Sequence, residues 1–216
     1  MVIKDWAPSR RGLIKTGFAV AGAAASSFTP LRAATAAYGS STITSERVVR
    51  PALFRAAMNA LEQHGSEIPC RDRIAIADFA APSSQPRFHF IDLANGNTTT
   101  LLVAHGRGSD PEHTGWLQRF SNEPSSFASS DGAFLTSDYY IGKHGLSQRL
   151  VGLDPTNNNA MDRAIVIHSA WYANPDMLMT YGQLGRSEGC FAVGEGALEE
   201  VFARLGAERM VFAAKV

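Results

Sequence analysis

Cys190 closes the hexapeptide Gly185-Arg186-Ser187-Glu188-Gly189-Cys190, and His168 stands 22 positions before it. A cysteine attacks a carbonyl as its thiolate, so it needs a nearby base or a positive surrounding to release its proton. The small residues around Cys190 let the backbone bend tightly about a thiol. His168 ends the apolar run Ala164-Ile165-Val166-Ile167, which reads as a buried strand. A histidine at a strand's end is well placed to face a cysteine on an adjacent turn. Types and spacing therefore point to acyl transfer, with Cys190 as nucleophile and His168 as base.

Two other chemistries compete for these residues. His105, His113, His144, His168 and Cys190 could gather around zinc, but no pair has the tight spacing of an H-x₃-H or C-x₂-C element. The chain's 2 cysteines, Cys70 and Cys190, could instead form a structural disulfide. A chain of this length does not need one bridge to fold, and Cys70 sits in the linker-like stretch Ile68-Pro69-Cys70-Arg71. His105 and His144 each precede a glycine, so either could line a substrate cleft or hold a loop. His64 and His89 read as structural, and His113 as a solvated loop residue. Trp171, Tyr172 and Tyr181 read equally as cleft walls or as packing.

The elements that position the pair are mostly short strands. A helix is expected over 51–63, opened by Pro51, with Leu53, Ala57 and Leu61 on one face. Strands are expected over 73–79, 87–93 and 98–104, the last two joined through Asn95-Gly96, a strong hairpin signal. Further strands are expected over 132–136, 146–153, 164–168 and 209–214. A short helix over 175–181 and a longer one over 197–205 complete the set. The stretch 106–131 reads as a long polar loop, a length usually reserved for function or disorder. The fold class that follows is mainly β with a few helices, in a barrel or sandwich.

The N-terminus reads as an export leader. Ser9-Arg10-Arg11-Gly12-Leu13-Ile14-Lys15 is a twin-arginine pattern, and Ala34-Thr35-Ala36 is a small-x-small cleavage site. The apolar segment between them, 16–28, is 13 residues long, short of the roughly 20 needed to span a bilayer. The expected organisation is a leader over 1–36, a linker and helix over 37–72, and a catalytic domain over 73–216, with the periplasm or envelope as destination and no membrane span once the leader is cut. The leader holds 5 of the 20 basic residues and 1 of the 20 acidic ones, so the mature chain carries a net charge of −4. No basic stripe suggests nucleic acid.

His168, a spacer, then Ser187-Glu188-Gly189-Cys190 resembles the signature of the L,D-transpeptidases, a histidine followed by Ser/Thr-His-Gly-Cys. The chain most resembles the murein L,D-transpeptidase catalytic domain branch, through Val103-Ala104-His105-Gly106-Arg107-Gly108-Ser109, Phe120-Ser121-Asn122-Glu123-Pro124, Lys143-His144-Gly145-Leu146-Ser147 and Leu184-Gly185-Arg186-Ser187. The resemblance runs from Arg73 to the C-terminus. It implies an enzyme acting on peptidoglycan stem peptides through a thioester, with 3→3 cross-links as product and carbapenem-type β-lactams as covalent inhibitors. It assigns Cys190 as nucleophile, His168 as base oriented by a backbone carbonyl, Ser187 as the signature Ser/Thr, and N–H groups around Gly189 and Cys190 as the oxyanion site. Such donors are worth roughly 3–4 kcal/mol each. It implies no cofactor.

The chain departs from the signature twice. Glu188 replaces the second histidine, and Phe191-Ala192-Val193 replaces the arginine that many members carry after the cysteine. Arg186 could supply that cation toward a substrate carboxylate, with His105 and His144 as further substrate contacts. Water in place of an amine would make the same site an L,D-carboxypeptidase or another peptidoglycan peptide hydrolase. A non-catalytic wall-binding module is the remaining alternative.

Overall fold

The six residues Arg73–Asp78 form a strand buried on both faces, and their alternation sets the architecture. Ile74 and Ile76 point to one side, Ala75 and Ala77 to the other, and each side meets its own apolar cluster. The computed structural model of the chain describes residues 43–44 and 49–216. The export leader expected over 1–36 lies outside the described residues.

In chain order the first strands are β1 (Ile43–Thr44), β2 (Arg73–Asp78), β3 (Phe88–Asp92) and β4 (Asn97–Leu101). They are followed by β5 (Gly132–Gly142), β6 (Gly145–Gly152), β7 (Val166–Ser169), β8 (Phe191–Val193) and β9 (Met210–Ala214). The helices are α1 (Pro51–Gln63), α2 (Asp176–Tyr181) and α3 (Leu198–Leu205). Together the strands make one mixed sheet in the order β1-β4-β3-β2-β9-β5-β6-β7-β8. Neighbours run antiparallel except at β2·β9 and β7·β8, which are parallel. Beyond β4 the chain crosses to the far edge, where Ala104 bridges Ala192 of β8. The sheet thereby curls back on itself, as a mainly β barrel or sandwich requires.

Inside the curl lies the larger core, with Phe79, Phe88, Phe134 and Phe191 fully buried and Val201 and Leu205 of α3 closing one end. Phe191 stacks on Phe88 at 5.9 Å and meets Phe134 edge-on at 5.5 Å. Outside β2 and β9, α1 lays Leu53, Ala57 and Leu61 against Ile74, Ile76, Met210 and Phe212. Pro51 opens α1, whose first turn leaves unpaired N–H groups that a proline does not miss.

Two expectations need correction. β5 runs to Gly142 rather than ending near Thr136, and it makes with β6 a long hairpin whose tip is Lys143-His144. β8 was not anticipated. The long loop expected over 106–131 is present, with one short 3-10 turn over Arg107–Ser109, and is threaded by hydrogen bonds.

Candidate active site

β7 and β8 are parallel neighbours with Ile167 beside Phe191, His168 beside Ala192 and Ser169 beside Val193. Ile167, Phe191 and Val193 belong to the inner core, so alternation turns His168 and Ala192 to the opposite face. Cys190 immediately precedes β8. The fold thus brings the base and nucleophile candidates to one strand pair, where Lys143 acts on both.

The turn before β8 is held by Ser187. Its hydroxyl donates to the Cys190 carbonyl at 2.7 Å and accepts the Gly189 N–H at 3.1 Å. Ser187 is itself clamped to the segment after β4, its N–H donating to the His105 carbonyl and its carbonyl accepting the Arg107 N–H. Gly189 has φ +114°, and a side chain there would meet the Ala128 carbonyl at 2.6 Å. Gly106 packs back-to-back against it, with a would-be Cβ 2.8 Å from the Gly189 backbone. Only glycines permit this approach.

The Cys190 thiol donates to the Ala164 carbonyl at 3.5 Å. Ala164 itself holds a left-handed φ of 52°, an uncommon conformation for a residue with a side chain. Burial raises the thiol's pKa, against the Val166 N–H and the charges of Lys143 and Arg163, which favour the thiolate. The Gly189 N–H is taken by Ser187, which corrects the expectation that it is an open oxyanion donor. The N–H of Cys190 itself is engaged by none of the described residues.

His168 is 1% exposed. Its Nδ1 lies 2.9 Å from the Ser169 carbonyl. A carbonyl only accepts, so Nδ1 carries the proton and Nε2 keeps the lone pair a base needs. Burial pushes the imidazole pKa down to about 4; the Ser169 carbonyl opposes this, while His144 and Lys143 add to it. The resting pair is accordingly a neutral thiol and a neutral imidazole.

His144, at the β5–β6 tip, stacks on His168 with ring centres 4.1 Å apart and planes 17° from parallel. Beside it, Lys143 reaches Glu188 at 3.9 Å, and Arg107 pairs with the same carboxylate at 3.0 Å. Glu188, where the signature has histidine, is therefore an ionic link between the hairpin tip, the nucleophile turn and the segment after β4.

The family model of the L,D-transpeptidase catalytic domain matches residues 45–214. The chain belongs to this family. An L,D-transpeptidase from Mycobacterium tuberculosis H37Rv is similar at 13% identity and a TM-score of 0.43, over 67% of this chain and 58% of that one. LD transpeptidase LdtMt1, solved in complex with imipenem, is similar at 12% identity and a TM-score of 0.40, over 66% of this chain and 59% of that one. An L,D-transpeptidase from Mycobacterium smegmatis is similar at 11% identity and a TM-score of 0.39, over 66% of this chain and 58% of that one. The chain spans less than two thirds of the length of these structures. No curated protein matches it.

Elsewhere the transpeptidase domain departs from what the sequence suggested. His105, expected to meet substrate, is 1% exposed and fully occupied. Arg87 donates to its Nδ1 at 2.8 Å, which leaves Nε2–H facing Asp110 at 3.4 Å. Burial first and the Arg87 charge second hold its pKa near 3, so it stays neutral. Its work is to fix the segment that clamps Ser187. Arg186, expected to meet a substrate carboxylate, instead donates to the Asp110 and Pro111 carbonyls. His113 is not simply solvated, since its Nε2 lies 3.0 Å from the Leu184 carbonyl. His64 and His89 are structural as expected, paired with Asp154 and Thr100. Trp171 and Tyr181 are both 66% exposed, while Tyr172 is half-buried against Gly185.

Cys70 and Cys190 are both free thiols. Among the described residues, no three His, Cys, Asp or Glu side chains gather in a group that could hold a metal ion. Nor, among them, is any helix long and apolar enough to cross a membrane.

Two supporting residues escaped sequence reasoning. Arg163 donates to the Ser121 and Ala128 carbonyls and to Ser130, stapling the 121–130 segment behind Gly189. Asp110, fully buried, accepts from the N–H groups of Thr114 and Gly115 and ties the start of the long loop. The Asp110-Pro111 pair was the available signal, since that dipeptide favours a turn.

Proposed function

We propose that this domain is a cysteine-dependent L,D-transpeptidase of the cell envelope, forming 3→3 cross-links between peptidoglycan stem peptides. The observation that carries the reading is the β7·β8 pairing, which lays the strand of His168 beside the strand that Cys190 leads into, while Ser187 pins the cysteine's turn. In the first step Nε2 of His168 takes the Cys190 proton as Sγ attacks the donor carbonyl. The Cys190 N–H supports the developing oxyanion. The tetrahedral species collapses, the proton passes to the departing D-alanine amine, and a thioester remains. An acceptor amine then attacks the thioester and gives one proton to His168. The C–S bond breaks, and that proton returns to the thiolate. Water in place of the amine gives a shortened peptide instead.

Carbapenem-type β-lactams fit the same first step, because ring opening traps Sγ as an acyl-enzyme. The twin-arginine leader supports export to the periplasm. Incubation with purified disaccharide-tetrapeptides, followed by chromatography and mass analysis, tests the reading. Cross-linked dimers that vanish in Cys190→Ala are expected. Shortened monomers alone would make the enzyme a carboxypeptidase, and no product of either kind would overturn the proposal.

A further inference from the structure

We propose that His144 is a positioning residue for His168: its imidazole stacks on the ring of the base and holds that ring at the angle set by the Ser169 carbonyl. The inference rests on the reading of His168 as a base.

Four observations carry it. His168 has its Nδ1–H fixed by Ser169 and its backbone paired on both sides, to Ser147 of β6 and Ala192 of β8. Its ring is stacked by that of His144, near-parallel at 4.1 Å. His144 lies at the exposed tip of a hairpin and is not needed for the core, yet it is placed ring on ring over a buried histidine. The tip is also tied down, by Lys143 reaching Glu188 two residues before Cys190.

The geometry separates this role from a proton relay. Imidazole lone pairs lie in the ring plane, so two stacked rings offer no nitrogen-to-nitrogen path. The stack orients the His168 ring, while burial, His144 and Lys143 disfavour its charged form. Burial keeps His144 itself below the ordinary histidine pKa, with the charge on Lys143 acting in the same direction and Glu188 opposing. The charged and titratable groups that act on His168 are His144 and Lys143 from the β5–β6 turn, and Lys143 also acts on Cys190 and reaches Glu188.

The test uses iodoacetamide on the mature chain in a Cys70→Ser background, so that Cys190 is the one thiol. Alkylation forms the Sγ–C bond, expels iodide and passes the thiol proton to His168 and then to solvent. His144→Ala should slow Cys190 alkylation at pH 7 about tenfold, because the unheld ring spends less time at the angle from which Nε2 takes the thiol proton. It should also move the acid limb of the rate upward by about one pH unit, as water reaches the uncovered ring and relieves its desolvation. His144→Phe, which keeps a stacking ring without nitrogens, should stay within about twofold of the parent with its acid limb unmoved. Thermal denaturation should show all three chains equally folded. Alanine matching the parent in rate and limb would overturn the inference, as would phenylalanine behaving like alanine. A parent chain that shows this His144 dependence yet makes no muropeptide product would sink the transpeptidase reading and leave the positioning role standing.

Discussion

Gly189 and Ser187 do for Cys190 what no side chain on the thiol could do. The turn must pass within van der Waals distance of the Ala128 carbonyl, at φ +114°, and then deliver the cysteine to the head of β8. Gly189→Ala should therefore cost about 2–4 kcal/mol, from a strained φ and from overlap with backbone that cannot move aside. Denaturant titration would measure it, with loss of muropeptide turnover alongside. Ser187→Ala removes both turn bonds but leaves Gly189 in place. It should lower the acylation rate about tenfold to a hundredfold while costing only about 1–2 kcal/mol of stability. Unchanged acylation by Ser187→Ala would mean that the clamp from His105 and Arg107 suffices. At this scale the sequence was informative where chemistry is local. The turn that Ser187 holds ahead of Cys190, beside the strand of His168, is legible because the spacing carries a motif. His105 misled because a histidine before glycine suggests a cleft, and Arg186 because a guanidinium near the cysteine suggests a carboxylate partner, whereas here they brace a loop through Arg87 and the Asp110 and Pro111 carbonyls.

At the scale of elements, the site depends on parts that arrive from opposite ends of the sheet. Arg87 at the entry to β3 is fully buried and donates to the Ala81 and Val103 carbonyls and to His105. Burial lowers its pKa to about 9, still high enough for a cation at neutral pH, and its guanidinium lies over the Phe79 ring at 4.9 Å. Arg87→Met strands those acceptors and should destabilise the domain by about 3–5 kcal/mol. It should also slow acylation, because His105 then loses the partner that holds the Ser187 clamp. Urea midpoints and acylation rates measured together would check both effects; a stable, fully active variant would contradict them. The strands around Arg87 were readable from alternation and from Asn95-Gly96. The outer half of β5 was not. A register shift between Thr136 and Tyr139 breaks its period-two pattern, so Ser137-Asp138-Tyr139-Tyr140 does not look like a strand. β8 was missed for a different reason: three residues carry no period, and their strand state is imposed by β7.

For the whole molecule, buried neutral histidines tie stability to pH. Burial holds His89 and His168 near 4 and His105 near 3, all below the ordinary 6.5. The unfolded chain binds these protons at a higher pH than the folded one does. Their contribution is therefore complete above pH 6.5 and is lost progressively as pH falls toward 4. His64 works the other way. Burial disfavours its charge, but hydrogen bonds to Glu67 and Asp154 prevail and raise its pKa, so its contribution is present below 6.5 and fades as pH rises. Three groups against one give a net loss on acidification. The melting temperature should drop by an amount on the order of 10 °C between pH 7 and pH 5. Calorimetry at constant ionic strength would check this, and a flat profile would contradict it. The mainly β class was legible in the short alternating segments. The closure of the sheet through Ala104 and Ala192 was not, since it joins residues 88 positions apart by a single bridge.

The central claim is that Cys190 carries the acyl group. Intact-mass spectrometry of the mature protein after incubation with a disaccharide-tetrapeptide muropeptide, beside Cys190→Ala, tests it most directly. The account predicts an adduct equal to the donor less one D-alanine, mapped to Cys190 and absent from the variant. An adduct that persists in Cys190→Ala, or a parent chain with no adduct and Cys190 joined to Cys70, would contradict it.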